Sequence, residues 1–148
     1  MGNSANVYCS ECGYNKSFMT GIGMMYFNLE SRMDFLSNLI KSKKTLNIVK
    51  KLIDEKNGRL DCEHGHTVYL CPKCGEFHER FDYKIIYDGG VFKPRFSCGN
   101  CKATLKKAKY SYDKNGIYDI DTSNCKCPKC GKAFTDDGFK IRLVAYWD

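Results

Sequence analysis

The chain has 148 residues, a formal net charge of +7 and ten cysteines. Hydrophobic residues make up 43% and charged residues 28%, a globular balance that excludes a disordered or fibrous chain. No run of about eighteen apolar residues occurs, so no membrane-spanning helix is expected, and the polar start at residues 1–6 lacks the apolar stretch of a secretory signal.

Met1-Gly2 opens like an N-myristoylation signal, but Asn6 stands where the hydroxyl residue belongs, and a cytoplasmic protein is expected. Thiols stay reduced there, so Cys-x-x-Cys reads as metal-binding or catalytic rather than disulfide-bonded. Residues 6–9 read as a strand leading into the first such knuckle, Cys9-Ser-Glu-Cys12-Gly13. Gly21-Ile-Gly23 follows; a Gly-x-Gly before a helix can cradle phosphate, but the third glycine of a dinucleotide site is missing and the segment reads as a bend.

Residues 28–57 read as helical. Ser31-Arg-Met-Asp34 resembles a capping box, Phe35, Leu36, Leu39 and Ile40 recur at helical spacing, and so do Leu46, Val49, Leu52 and Ile53. Ser42 to Thr45 breaks the region into two helices, and Asn57-Gly58 stops the second. The apolar stripe is the face expected to pack on the first ribbon, formed around the first two knuckles.

A strand at 67–70 leads into the second knuckle, Cys71-Pro-Lys-Cys74-Gly75, and 77–87 leaves it. Asp88-Gly89-Gly90 is a hairpin signal, and 91–97 returns to the third knuckle, Cys98-Gly-Asn-Cys101-Lys102. Residues 103–112 run to a second hairpin signal, Lys114-Asn115-Gly116. The fourth knuckle is Cys127-Pro-Lys-Cys130-Gly131, and alternation over 139–147 predicts a final strand with one buried face.

Four knuckles supply two sets of four thiolates, the closed tetrahedral set of structural zinc, so two Zn²⁺ ions are expected on Cys9, Cys12, Cys71, Cys74, Cys98, Cys101, Cys127 and Cys130. Iron also accepts four thiolates. Pro72 and Pro128 preset the turn, and glycine after the second cysteine supplies a positive φ; Lys102 replaces it in the third knuckle, which is expected to be the most strained or irregular. The sequential pairing, first knuckle with second and third with fourth, is preferred; a nested pairing of the two middle and the two outer knuckles stays open, because doubling a loop costs only about 0.6 kcal/mol. Cys62, Cys125, His64, His66 and His78 read as spare thiols or strand residues rather than a third site. Two four-thiolate zinc ions would lower the charge from +7 to about +3, so part of the basicity offsets the metal sites.

Cys9-x-x-Cys12-Gly13, then Gly21-Ile-Gly23-Met24-Met25-Tyr26, a helical stretch and a later Cys-Pro-Lys-Cys-Gly resemble small bacterial zinc-ribbon proteins. The second half resembles a generic zinc ribbon or rubredoxin-type knuckle pair through Cys98, Cys101, Cys127 and Cys130. The resemblance implies a small α+β fold of zinc-ribbon hairpins: residues 1–90 as one ribbon with a two-helix insertion at about 28–57, residues 91–148 as the second, and sequential pairing. It implies no activity, because that family has no settled function, and Lys102 departs from its usual glycine.

Three function classes are open. Lys41, Lys43, Lys44, Lys50 and Lys51 on the insertion, and Lys102, Lys106, Lys107 and Lys109 beside Tyr110 and Tyr112, suit a nucleic-acid-binding module. Of these, Lys41, Lys44, Lys51, Lys106, Lys107, Lys109 and Tyr110 are the expected contacts, although lysines on an amphipathic helix often only solvate it. The alternative is a protein–protein adaptor or structural subunit built on ribbon edges. An enzyme is not expected: four-cysteine sites are closed, no general base accompanies Cys62, His64 and His66, and no small-molecule substrate is evident.

Overall fold

A computed structural model describes residues 2–23, 32–112, 118–122, 124–134 and 146–147. The chain begins with a hairpin of β1 (Gly2–Tyr8) and β2 (Asn15–Gly21), paired along their whole length from Gly2↔Gly21 to Tyr8↔Asn15. Side chains alternate across it as a pleated strand requires: Val7 and Phe18 are buried, Tyr8 and Met19 exposed. Lys16 lies opposite Val7, on the inner face, and its ammonium is satisfied there by Glu76 Oε1 at 2.8 Å and the Phe77 carbonyl at 2.6 Å.

The insertion forms α1 (Arg32–Leu39) and α2 (Lys43–Glu55). The break expected at 42–45 falls at 40–42, where Ser42 caps α2 by accepting the Thr45 N–H. The stop expected at Asn57-Gly58 is present, with the labour divided. Asn57 takes the left-handed φ of 52°, while Gly58 donates to the Leu52 carbonyl at a distance that leaves no room for a Cβ. Ser31 and Met24 to Tyr26 lie outside the described residues.

After β3 (Arg59–Leu60), a second long hairpin joins β4 (Gly65–Leu70) to β5 (Phe77–Asp82), and a short one joins β6 (Ile85–Tyr87) to β7 (Gly90–Phe92) through Asp88-Gly89 as expected. The remaining strands are β8 (Lys106–Lys107), β9 (Tyr110–Tyr112), β10 (Tyr118–Ile120) and β11 (Tyr146–Trp147). β9 and β10 pair antiparallel; the turn at 114–116 and residues 139–145 of the expected final strand lie outside the described residues.

The main sheet runs β11-β1-β2-β4-β5, with β8 also paired to β4; β3-β6-β7 form a second sheet. β2 reaches β4 at a single pair, Gly21↔His66, and a Cβ on Gly65 would stand 3.0 Å from the Gly21 backbone, so the close approach needs that glycine. One core lies on the main sheet around Val7, Phe18, Val68, Phe77 and Ile120. A second holds the helical stripe, Phe35, Leu36, Ile40 and Val49, against Phe81, Tyr83 and Ile85. The architecture is small and α+β. Among the described residues, no helix is long and apolar enough to cross a membrane.

Candidate metal centre

All four knuckles are the six-residue turns of hairpins. They span 9–14, 71–76, 98–103 and 127–132, closed by the pairs Tyr8↔Asn15, Leu70↔Phe77, Ser97↔Thr104 and Lys126↔Ala133. In each turn the first cysteine's N–H donates to the carbonyl of the sixth residue, and its own carbonyl accepts the N–H of the fifth. That fifth residue has φ of 70° at Gly13, 74° at Gly75, 72° at Gly131 and 61° at Lys102. The third knuckle is therefore not irregular. Lys102 adopts the glycine conformation, at the cost an L side chain carries there, and its Nζ donates to the Gly99 carbonyl at 3.1 Å.

The pairing is nested, which corrects the preferred sequential reading. Cys9, Cys12, Cys127 and Cys130 form one group, and Cys71, Cys74, Cys98 and Cys101 the other, each with all sulfurs within 4.8 Å of one another. The physical reason is the sheet. β8 leaves the third knuckle and pairs with β4 at Tyr69↔Lys107 and Leu70↔Lys106, setting that knuckle beside the second. The outer two meet through a 2.6 Å Lys132–Glu11 ion pair and a Lys129 Nζ donation to the Cys12 carbonyl at 3.4 Å. Both groups thus take one knuckle from each side of residue 90, where the two-ribbon division was expected.

The donor sets fit a tetrahedral ion. Metal–sulfur bonds of about 2.3 Å give a tetrahedral edge of about 3.8 Å. Across the paired knuckles, Cys9–Cys130 sulfurs stand 3.8 Å apart, Cys12–Cys127 3.6 Å, Cys71–Cys101 3.4 Å and Cys74–Cys98 3.6 Å. A disulfide would need about 2.05 Å, and all ten cysteines are free. Each group can hold a metal ion.

The thiols are split in a way a cation resolves. Burial works against the Cys71 thiolate, but the N–H groups of Cys74 and Lys73 and the neighbouring thiols bring it down to about 6. The Cys101 N–H leads in lowering Cys98 to about 7, helped by Asn100 N–H and His78. Burial is likewise overcome at Cys127, by the Cys130 and Lys129 N–H groups, to about 7. The last protons are held hard. Burial pushes Cys12 up to about 12, and Cys74, although favoured by the Glu76 N–H, is pushed up to about 12 by burial and its sulfur neighbours. Four thiolates this close need a positive ion between them.

The groups differ in exposure. Cys71 and Cys98 are 1% exposed and pack with Tyr69 and Leu105, whereas Cys130 of the other group is exposed. His78 Nε2 stands 3.2 Å from Cys98 Sγ, the hydrogen-bonding place of a residue that supports a metal thiolate. His78 is the strand residue expected from the sequence, and its place four positions after Cys74, in the strand leaving the second knuckle, was the available signal for this contact. Cys125 is a buried core thiol whose Sγ lies 3.9 Å from the Asp121 carbonyl, and Cys62 is exposed; both lie outside the two groups.

Lys41, Lys44, Lys51, Lys106, Lys107 and Lys109 are all exposed. Lys107 is engaged by Asp82 at 2.7 Å. Tyr110 is half-buried, packs on the main core and accepts the Val68 N–H at 3.1 Å through its hydroxyl. No family model, curated protein or solved structure matches the chain.

Proposed function

We propose that the chain is a non-enzymatic, two-zinc binding module of zinc-ribbon type that contacts nucleic acid. The observation that carries the zinc assignment is the pair of closed four-cysteine groups with sulfur edges of 3.4 to 3.8 Å. Four protein ligands leave no open position for water or substrate, which favours a structural over a catalytic ion. Zinc binds without redox change and suits a set held in place by free thiols in a reducing compartment such as the cytoplasm. When bound, the ions stabilise the fold by tying the two ends of the chain together and by closing the hairpin pair in its middle.

The nucleic-acid reading is supported by α2. Its first turn carries Lys43 and Lys44 and no acidic residue, the reverse of what the helix dipole favours, and Lys50 and Lys51 are also exposed. An anionic partner relieves that repulsion. Tyr110, held in the core, contributes through packing more than as an open stacking platform.

Two measurements test the proposal. Elemental analysis of the protein purified under reducing conditions is expected to give two zinc ions per chain, and chelation is expected to unfold it. Titration with single- and double-stranded nucleic acid is expected to show binding that weakens steeply as salt rises. One ion or iron in place of zinc would overturn the metal assignment; no binding even at low salt would overturn the partner.

A further inference from the structure

We propose that the cavity at the corner between α1 and α2 is a binding site for a nucleoside phosphate, free or as one unit of a strand. The cavity has a volume of about 540 Å³, within the range of small-ligand sites and large enough for a single nucleotide.

Its wall divides by chemistry. Lys41, Arg80 and Arg95 give the lining three cationic residues. Arg80 is held in place by two backbone carbonyls, Glu79 at 2.7 Å and Ser97 at 3.4 Å, which orient the guanidinium without cancelling its charge. Neither Lys41 nor Arg95 belongs to an ion pair among the described residues. Among the described residues the single lining carboxylate, Glu79, is already engaged by His66 Nδ1 at 2.9 Å and the Met19 N–H at 2.7 Å. The charge left over is positive, and arginine forks suit phosphate oxygens.

The rest of the wall is apolar and aromatic, through Leu39, Phe81 and Phe96. Phe96 is half-buried and steadied by an edge contact to Tyr69 at 5.1 Å. Tyr83 lines the same cavity. It is 2% exposed, and its hydroxyl has no hydrogen-bond partner among the described residues. Burial pushes its pKa up to about 12, so it stays a neutral phenol. Buried hydroxyls are ordinarily paired; this one is shut off from solvent, so Tyr83 adds to the cavity wall through its ring and not as a donor.

The α2 N-terminus plays a lesser part. Its Thr45 N–H is already taken by Ser42 Oγ at 3.3 Å, so side-chain cations and not the helix end would hold the anion. An acidic peptide would use those cations but leave the rings unused. A nucleoside phosphate uses both. For strand binding, the inference rests on the nucleic-acid reading above; for a free nucleotide it does not.

The test uses the metal-loaded full chain and calorimetric titration with adenosine monophosphate, a 5′-phosphorylated single strand of about ten nucleotides, inorganic phosphate and a glutamate-rich peptide. Arg95→Gln alters an exposed side chain and Tyr83→Phe removes an unpartnered hydroxyl, so both are expected to keep metal content and melting temperature. Expected is saturable binding of the nucleotide or the strand, weakened about tenfold by Arg95→Gln and unchanged by Tyr83→Phe, whose hydroxyl is shut off from the cavity. Nucleotide binding without strand binding would support the cavity and overturn the nucleic-acid reading. Strand binding that Arg95→Gln leaves unchanged would overturn the cavity and leave that reading standing on the α2 lysines. Phosphate or peptide bound as tightly as the nucleotide and the strand, or no binding at all, would overturn the inference.

Discussion

The Tyr14 hydroxyl donates to Glu76 Oε1 at 2.7 Å, joining the last residue of the first knuckle to the last residue of the second, 62 positions apart in sequence. These knuckles belong to different cysteine groups, so the bond ties one candidate metal centre to the other. Glu76 also accepts Lys16 Nζ at 2.8 Å on the same oxygen, and these partners hold its carboxyl below the usual range despite burial. Tyr14→Phe keeps the ring and the Lys16 contact but removes a hydrogen bond to a charged acceptor. The expected loss is about 1.5 kcal/mol in urea unfolding of the metal-loaded protein. A change under about 0.3 kcal/mol would show that Lys16 alone holds the two knuckles in register.

Nested pairing has a signature in metal content that sequential pairing cannot imitate. Cys74→Ser and Cys98→Ser remove ligands from one group, so the double variant is expected to lose a single ion. Cys12→Ser with Cys74→Ser strikes both groups and is expected to lose both ions. Sequential pairing reverses the two results. Cys62→Ser, outside both groups, is expected to leave the count unchanged.

The eight grouped cysteines were legible in the sequence because their pattern is local: a thiol pair, with a glycine after it at three of the four, describes a whole turn. The Asp88-Gly89 hairpin and the Asn57-Gly58 helix stop were legible for the same reason. The pairing was not. Eight sulfurs are chemically alike, and loop entropy varies too slowly with length to choose between partners. The choice is made by strand pairs such as Leu70↔Lys106 and by the packing of Ile120, Cys125 and Phe134 on the core around Val7 and Phe77, which no local pattern announces. Tyr110 had the same ambiguity. A tyrosine beside lysines reads equally as a stacking ring or a core ring, and the hydroxyl's bond to the Val68 N–H exists only once β4 lies beneath it. Arg80 and Arg95 become neighbours only because 94–96 returns past the β5 strand.

Lys102 gives a measure of what the knuckle turn costs. Its φ of 61° lies close below the 70°, 72° and 74° of the three glycines, so nearly the same backbone carries a Cβ at one turn and none at the others. Lys102→Gly is expected to stabilise the metal-loaded protein by about 1 kcal/mol, after allowance for the freer unfolded chain. The converse uses Gly131→Ala. An added Cβ there meets nothing within 4 Å, so the expected loss of about 1 kcal/mol would come from φ alone. Urea midpoints compare the two. A loss in Lys102→Gly would mean that the Lys102 Nζ bond to the Gly99 carbonyl outweighs the backbone strain.

Tyr83 links stability to pH on the alkaline side. Burial raises its pKa from an unfolded value near 10 to about 12, so the folded chain keeps the phenol proton where the unfolded chain gives it up. The stability this contributes is fully present below about pH 10 and is lost as pH rises from there through about 12. The wild-type protein is therefore expected to lose stability across that window. Tyr83→Phe, which has no proton to lose and leaves no partner stranded, is expected to lose less. Chemical unfolding of metal-loaded samples at several alkaline pH values measures both slopes. Equal slopes would mean that the Tyr83 phenol reaches solvent or an acceptor in the folded protein.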